Sequence, residues 1–140
     1  MNIPITSLIT DNVTELLIKI IEFTQTRQKV LIQNVNNVET AGFTPCDVTV
    51  NEFVDSLNTA IDEHIQNRRL VLCDSENVKF GGGLELKAVP DKYAKKLLEE
   101  NRDEYLELQI NKLLENSLNQ KMAAELLKQK ERMSSVFEQS

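Results

Sequence analysis

The sequence predicts a mainly α-helical protein in which long N- and C-terminal helices pair as a coiled-coil-like α-helical hairpin. A short middle helix and a small β-hairpin or meander are expected between them. Three observations lead to this fold class. Apolar residues recur at intervals of three and four at both ends of the 140-residue chain, as on one helical face. Aromatic residues make up only 5% of the chain and tryptophan is absent, which favours aliphatic helix packing. Between residues 68 and 90 the pattern changes to short, strand-like runs.

The first predicted helix runs from about Ser7 to Val38. Asp11 or Asn12 is its expected N-cap, and Glu15 is placed to complete a capping box with Asn12. An apolar stripe covers about 25 residues, or roughly 38 Å at 1.5 Å per residue. Its members are Val13, Leu16, Leu17, Ile20, Ile21, Phe23, Val30, Leu31, Val35 and Val38. A stripe of this length predicts a face that packs against another long helix.

A polar corner follows this helix in the stretch LIQNVNNVETAGFTP. It contains three asparagines, which are Asn34, Asn36 and Asn37. Asparagine is unfavourable inside a helix because its amide competes for backbone hydrogen bonds. Gly42 allows a positive φ angle, and Pro45 opposes helix continuation. The helix should therefore end at this corner, and the next residues, CDVTV, should form a short strand or an extended segment along the helix.

The middle of the chain is predicted to hold one short helix and a few short strands. Residues 51–67 form the helix, with Asn51 as its cap. His64 is interpreted as a packing histidine beside the apolar face, which consists of Phe53, Leu57, Ile61 and Ile65. The runs RLVLC, NVKF and LELKAV are the predicted strands. The glycines at 81–83 lack the spacing of a phosphate-binding loop, so they predict a turn.

The last segment, from Asp91 to about Phe137, is predicted to be helical with a break near residues 101–103. Its apolar face is expected to hold Leu106, Ile110, Leu113, Leu114, Leu118, Met122, Leu126, Leu127, Met133, Val136 and Phe137. The three parts, 1–50, 51–90 and 91–140, should form one structural unit in which the two ends pack together.

Composition and motifs argue against several classes of function. The net charge is −6 and there is no block of lysine or arginine, so binding to nucleic acid is not expected. Cys46, Cys73 and the single histidine are too few for a zinc site, and both thiols are expected to be unpaired. The sequence Asp62-Glu63-His64 is the most tempting catalytic cluster, but consecutive helical residues point in different directions. We therefore predict no enzymatic activity, no cofactor and no metal.

The sequence predicts neither a cleaved secretory signal nor a membrane span. The N-terminal stretch MNIPITSLIT has no basic region and no long apolar core. No segment approaches about 18 uninterrupted apolar residues.

The corner resembles the signature of bacterial flagellar axial proteins, the rod, hook and hook-associated group. In that family a long helix runs into Asn-x-Ala-Asn-x-x-Thr-Pro-Gly-Tyr. Two positions depart from the pattern, because Asn36 stands where alanine is usual and Ala41 replaces the proline before the glycine. The matching residues are Leu31, Asn34, Val35, Asn37, Thr40, Gly42 and Phe43.

The C-terminal part is similar to the ending of the proximal-rod subunits of this family. There a Met-x-Lys-Leu-x-Glu-Asn core precedes a helix that closes on Leu-Leu-x-x-Lys. The matching residues here are Ile110, Lys112, Leu113, Glu115, Asn116, Leu126, Leu127 and Lys130. The resemblance covers residues 13–50 and 103–138 and leaves the middle of the chain uncovered.

The resemblance implies a structural subunit of the bacterial flagellar basal body rod, assembling helically through its terminal helices into the proximal rod that transmits torque. The implied partners are copies of the chain, other rod subunits, and membrane-ring and export-gate components at the rod base. The implied location is the periplasmic rod, reached by type III export without a cleaved signal peptide. The asparagine-rich corner is then expected to expose amides for hydrogen bonds between subunits.

Three alternatives are kept open. The first is another short rod subunit of the same family. The second is a cytoplasmic helical adaptor or export chaperone, which should be a compact dimer with helices ordered in isolation. The third, and weakest, is an enzyme using residues 62–64.

Overall fold

A computed structural model describes the backbone of residues 5–139 and the side chains of residues 12–136. This part of the chain is mainly helical, with four helices and two small antiparallel sheets, which confirms the mainly α fold class. The elements in order are α1 (Ile5–Asn36), β1 (Cys46–Asp47), α2 (Val50–Asn67), β2 (Val78–Lys79), β3 (Glu85–Leu86), β4 (Val89–Pro90), α3 (Lys92–Glu100) and α4 (Arg102–Gln139).

Helix α1 ends at the predicted corner but begins earlier than expected. Because the helix is described from Ile5 onward, the backbone of both Asp11 and Asn12 lies in its interior, and the predicted N-cap at either residue is wrong. The side chains of Asp11 and Phe137 lie outside the described part of the chain. Gly42 has a φ angle of +75°, which confirms that the corner uses the positive φ that glycine allows.

The strands lie in two separate pairs. β1 pairs with β4, so that Asp47 lies opposite Val89, and β2 pairs with β3 through the turn at 81–83. The predicted β-hairpin is confirmed by the β2–β3 pair, but the predicted strand RLVLC does not form a strand. This segment is fixed by contacts with α2 instead of by a ladder, since Ser56 Oγ donates a hydrogen bond of 2.9 Å to the carbonyl of Cys73.

Helix α2 buries only the first part of the predicted apolar face, since Phe53 is buried and Leu57 is half-buried. It starts one residue before Asn51, so the proposed cap is inside the helix. Ile61 and Ile65 are 42% and 60% exposed. The buried residues are Phe53, Ser56, Ala60 and His64. Residues at intervals of four advance by about 40° around a helix of 3.6 residues per turn, so the predicted row gradually leaves the buried side.

The main core lies where α1, α2 and the β2–β3 hairpin meet. The rings of Phe23 and Phe53 stack with their centroids 4.1 Å apart. Around them are the buried residues Val48, Val78 and Phe80. A second cluster joins α3 to α4 through Ala94, Leu97 and Tyr105.

Helices α3 and α4 are separated at Asn101, as the predicted break requires. Asp91 caps α3, because its Oδ1 accepts a hydrogen bond of 3.1 Å from the backbone nitrogen of Ala94.

The predicted apolar face of α4 is wrong for most of its members, for the same reason as in α2. Seven of them are 48% to 65% exposed: Ile110, Leu114, Leu118, Met122, Leu126, Met133 and Val136. The buried residues of α4 are instead Tyr105, Gln109, Asn116 and Ala123.

Candidate assembly site

A buried polar network joins the two long helices to the corner, with Asn34 at its centre. The Asn34 side chain is 1% exposed. Its Nδ2 donates to the carbonyl oxygen of Cys46 at 2.7 Å and to Oε1 of Gln109 at 2.9 Å. Its Oδ1 accepts a hydrogen bond of 3.1 Å from the backbone nitrogen of Cys46. One amide therefore holds the extended segment on α1 and contacts α4 at the same time.

The backbone of Asn34 is also bound to α4. Tyr105 is fully buried, and its hydroxyl donates a hydrogen bond of 2.8 Å to the Asn34 carbonyl oxygen. Burial raises the pKa of Tyr105 to about 12, and the charge of Asp91 acts in the same direction. The phenol thus stays protonated and remains a donor across the physiological range.

Four charged side chains form a second link between the elements, which we call the ion cluster: Arg27, Asp47, Asp91 and Lys112. Arg27 of α1 binds Asp47 with two hydrogen bonds of 3.1 Å. Lys112 Nζ of α4 lies 2.9 Å from Asp47 Oδ2 and 2.8 Å from Asp91 Oδ2. The two positive and two negative side chains neutralise one another, and this pairing offsets the desolvation cost of placing charges in a largely buried site.

The pKa values in the ion cluster reflect this pairing. Burial acts to raise the pKa of Asp47, but hydrogen bonds and charges from Arg27 and Lys112 outweigh it and hold the pKa below its ordinary value. Burial acts to lower the pKa of Lys112, and the bonds to Asp91 and Asp47 outweigh it and hold that pKa above its usual range. Both groups are therefore charged at neutral pH.

Asn116 provides a third contact between α1 and α4. Its side chain is 1% exposed, and Nδ2 donates to the carbonyl oxygen of Thr24 at 2.7 Å and to Oε1 of Gln28 at 3.2 Å. Asn34 contacts Gln109, whereas the earlier residue Thr24 contacts the later residue Asn116. The two helices therefore run antiparallel where these hydrogen bonds join them.

The exposed part of the corner is held by its own hydrogen bonds. Asn37 Nδ2 donates to the carbonyl oxygen of Gln33 at 2.9 Å, and Thr40 Oγ1 donates to Asn37 Oδ1 at 3.0 Å. The backbone nitrogen of Phe43 donates to the Thr40 carbonyl oxygen at 3.2 Å. The expectation that the corner exposes its amides is wrong for Asn34, which is buried because it pairs with this chain's own backbone.

The other residues of the two family-like motifs are distributed between the interior and the surface. Leu31 is fully buried, while Val35, Leu113 and Leu127 are half-buried. Glu115 is exposed, as are Ile110 and Leu126. The structure thus brings Asn34 and Asn116 into one α1–α4 contact and leaves part of the C-terminal motif facing solvent.

An apolar groove lies between α1, α2 and α4, with a cavity of about 300 Å³. It is lined by Leu17, Ile20, Val54, Leu57, Met122 and Leu126, among others. Val54 is 42% exposed and Met122 is 63% exposed, so both walls of the groove are open to solvent. We call this surface the apolar groove.

Sequence reasoning missed several residues that hold the site together. Tyr105, Gln109, Arg27 and Asp47 were not singled out. One signal was available, since Gln109, Asn116 and Ala123 recur every seven residues. A seven-residue repeat predicts a helix–helix contact. Two of its three members here are polar, so a search for apolar residues alone does not find it.

Comparison of the chain with protein-family models, curated proteins and solved structures gives no match in any of the three. Among the described residues, no group of three or more His, Cys, Asp and Glu side chains is arranged to hold a metal ion. Within residues 5–139, none of the helices combines the length and apolar character needed to cross a bilayer.

Proposed function

We propose that this chain is a structural subunit of the bacterial flagellar basal body rod and that it belongs to the proximal rod. The observation that carries the proposal is the amount of apolar side chain left exposed on α4 after the chain has formed its own core. Leu114, Leu118 and Met122 are each 60% to 63% exposed. A row of large apolar residues along a helix is a common mark of a protein–protein contact.

We also propose that α1 and α4 pair as a coiled-coil-like hairpin. In support, the buried residues of α4 follow one another at intervals of four and seven, from Tyr105 through Gln109 and Asn116 to Ala123. Such spacing keeps one side of a helix against its partner. Each polar member makes a hydrogen bond to α1, through Oε1 in Gln109 and Nδ2 in Asn116, and these bonds fix the register of the two helices.

The partners in this proposal are other copies of the chain, other rod subunits, and components of the membrane ring and export gate at the rod base. The proposed location is the periplasmic rod. The two motifs described above, one at the corner and one in α4, are what point to the axial proteins among the many proteins that use exposed helices. Another short rod subunit of the same family has the same support and is distinguished by which basal-body components it captures.

Deletion of the gene in its own organism tests the proposed function. We expect the loss of motility and of the rod, with the membrane ring retained, and restoration by the unaltered gene. Complementation with Leu118→Glu should fail, whereas Tyr93→Ser, which changes a 63% exposed side chain on α3, should restore motility. A motile deletion strain with intact rods would refute the proposal.

A cytoplasmic helical adaptor or export chaperone is the second candidate. It is favoured by the two buried clusters and by the hydrogen bonds between α1 and α4, which suit a chain that is ordered by itself. Two measurements discriminate between the candidates. An adaptor should fractionate with the cytoplasm, and its purified monomer should show full helical circular dichroism that is lost when residues 1–30 are deleted. A rod subunit should be recovered with basal bodies.

A further inference from the structure

Two of the apolar surfaces that the described residues leave exposed lie on α2 and α4. The first is the exposed apolar side of α2, where Val54 lines the apolar groove and Ile61 and Ile65 continue the row beyond it; these three residues are 42% to 60% exposed. The second lies on α4, where Leu114 is nine residues after the buried Tyr105. At about 100° per residue, this places Leu114 on the opposite side of the helix from Tyr105. We call the surface around Leu114 and Leu118 the outer face of α4.

These surfaces carry opposite charges. Helix α2 contains Glu52, Asp55, Asp62 and Glu63, and it has no lysine or arginine between Val50 and Asn67. The outer face of α4 carries three exposed basic residues, Lys121, Lys128 and Arg132, and one exposed acidic residue among them, Glu125, so its balance is positive. The acidic side chains of α2 beside the apolar groove are therefore complementary in charge to the basic side chains around the apolar outer face of α4.

The spacing of the charges also matches. Asp55 and Asp62 are exposed and lie seven residues apart on α2. Lys121 and Lys128 are likewise seven residues apart on α4. Seven residues are about two helical turns, or roughly 10.5 Å along either axis. Two helices lying side by side therefore allow both lysines to face both aspartates at once.

We propose that a second copy of this chain places the outer face of its α4 against α2 and the apolar groove of the first copy. In this contact the two helices run antiparallel, so that Lys121 faces Asp62 and Lys128 faces Asp55. Leu118, three residues before Lys121, then covers Ile65, three residues after Asp62, and Leu114 lies against the end of α2. Exposed ion pairs contribute little affinity, so the apolar residues provide the attraction and the charges set the register and the orientation.

The contact is heterologous, because the two surfaces are different parts of the molecule. A copy whose apolar groove is occupied still has a free outer face on α4. A copy whose outer face is occupied still has a free apolar groove. Contacts of this kind build closed rings or open-ended arrays, unlike a twofold dimer. The proposal depends on the proposed rod function only for its biological setting, since the contact itself is a property of the purified chain.

Charge reversal tests the contact in solution. One variant combines Asp55→Lys with Asp62→Lys, and the other combines Lys121→Glu with Lys128→Glu. All four side chains are exposed, so both variants should fold, which circular dichroism checks. By sedimentation velocity at low salt, each variant alone should remain monomeric at concentrations where the unaltered chain associates.

Mixing the two variants in equal amounts should restore association. Each groove then meets an outer face of the opposite charge, in an alternating order. A mixture that stays monomeric, or single variants that associate like the unaltered chain, would overturn the proposal. An unaltered chain that is monomeric at every concentration would also overturn it.

Cross-linking distinguishes this heterologous contact from a twofold one. In a Cys73→Ser background, which removes an exposed thiol, one chain carries Ile65→Cys and the other carries Leu118→Cys. On mild oxidation, mixed dimers should exceed dimers of either chain with itself by at least about tenfold. Tyr93→Cys, at an exposed position on α3, is the matched control and should cross-link with neither. Dimers of like with like would reject the heterologous arrangement.

The two proposals fail separately. If the deletion strain keeps its rods but the charge-reversal pair behaves as expected, the contact stands and the rod function is wrong. If the strain loses its rods but the reversals have no effect, the chain assembles through another surface.

Discussion

Asn34 and Gln109, 75 positions apart in the chain, are joined by a buried hydrogen bond of 2.9 Å between Nδ2 and Oε1. Through this bond the end of α1 and the first third of α4 fix each other's position. The same Asn34 amide pairs with both backbone groups of Cys46. The corner, the extended segment and the C-terminal helix thus depend on one side chain.

Replacing Asn34 with alanine should lower the free energy of unfolding by about 2–4 kcal/mol. The variant removes the side-chain partner of the half-buried backbone N–H and C=O of Cys46 and of the buried Oε1 of Gln109. A buried group left without a partner costs about 1–3 kcal/mol. Urea denaturation measures the change. Asn36→Ala is the control, since Asn36 is exposed at the end of α1 and should change stability by less than about 0.5 kcal/mol. Equal effects of the two substitutions would contradict a central role for the Asn34 amide.

Removal of the Asp47 carboxylate should leave the ion cluster with two positive side chains, Arg27 and Lys112, and a single negative one, Asp91. Its side chain is 13% exposed, and those of Arg27 and Lys112 are 7% and 21% exposed. Breaking a buried pair by removing one partner costs about 3–5 kcal/mol, and the partial exposure here reduces the expectation for Asp47→Ala to about 3 kcal/mol. Asp55→Ala, at an exposed position on α2, should cost less than about 0.5 kcal/mol. Chemical denaturation below the concentration of association provides both values.

The stability of the chain should decrease in acid because carboxyl groups of the fold, Glu52 and Asp47 among them, have depressed pKa values. Hydrogen bonds from Asn77 lower the pKa of Glu52 to about 2 from an ordinary 4.5. The pKa of Asp47 lies below its ordinary 3.8. A depressed pKa stabilises the fold above the unfolded-state value, and this contribution is lost as the pH falls through the folded-state value.

Urea midpoints measured between about pH 5 and pH 2 test this dependence. The unaltered chain should lose stability across the window. Glu52→Gln and Asp47→Asn should each be less stable at the upper end and should show a shallower slope. Identical slopes in all three proteins would show that these two groups do not control the acid response.

The corner should be sensitive to the loss of Gly42 for a backbone reason alone. Gly42 has a φ of +75°, and a methyl group added there would meet nothing within 4 Å. Gly42→Ala should therefore cost about 1 kcal/mol, which is the price of a left-handed conformation for alanine. Gly81→Ala is the matched control, because Gly81 lies outside the positive-φ region and is equally open. It should leave the unfolding midpoint nearly unchanged, and a similar loss at both glycines would contradict this explanation.

Features that depend on neighbouring residues were predicted well from the sequence. The end of α1, the positive φ of Gly42, the break at Asn101 and the turn at 81–83 all follow from local backbone chemistry. A glycine, a proline or a group of asparagines restricts the backbone whatever lies around it, so these predictions needed no knowledge of the packing.

The buried network was less accessible to prediction. Asn34 and Asn116 were identified through the family-like motifs, but their partners Gln109 and Thr24 lie in the opposite helix. A polar residue in a sequence does not show whether a distant partner exists. Arg27 and Asp47 are common surface residue types, and only their approach across 20 positions turns them into an internal link.

By itself, the sequence determined that this chain forms long helices at both ends, a corner after the first helix and a middle part of short elements, because helical spacing and turn residues act locally. Only the tertiary structure decided which side of each helix is buried. Rows at intervals of four rotate steadily around the helix, so Ile65 and Leu118 reach the surface although each belongs to an apolar row. The buried side of α4 instead includes Gln109 and Asn116, since Oε1 of Gln109 accepts a hydrogen bond from Asn34 and Nδ2 of Asn116 donates one to the Thr24 carbonyl oxygen. Nε2 of Gln109 is buried without a hydrogen-bond partner among the described residues.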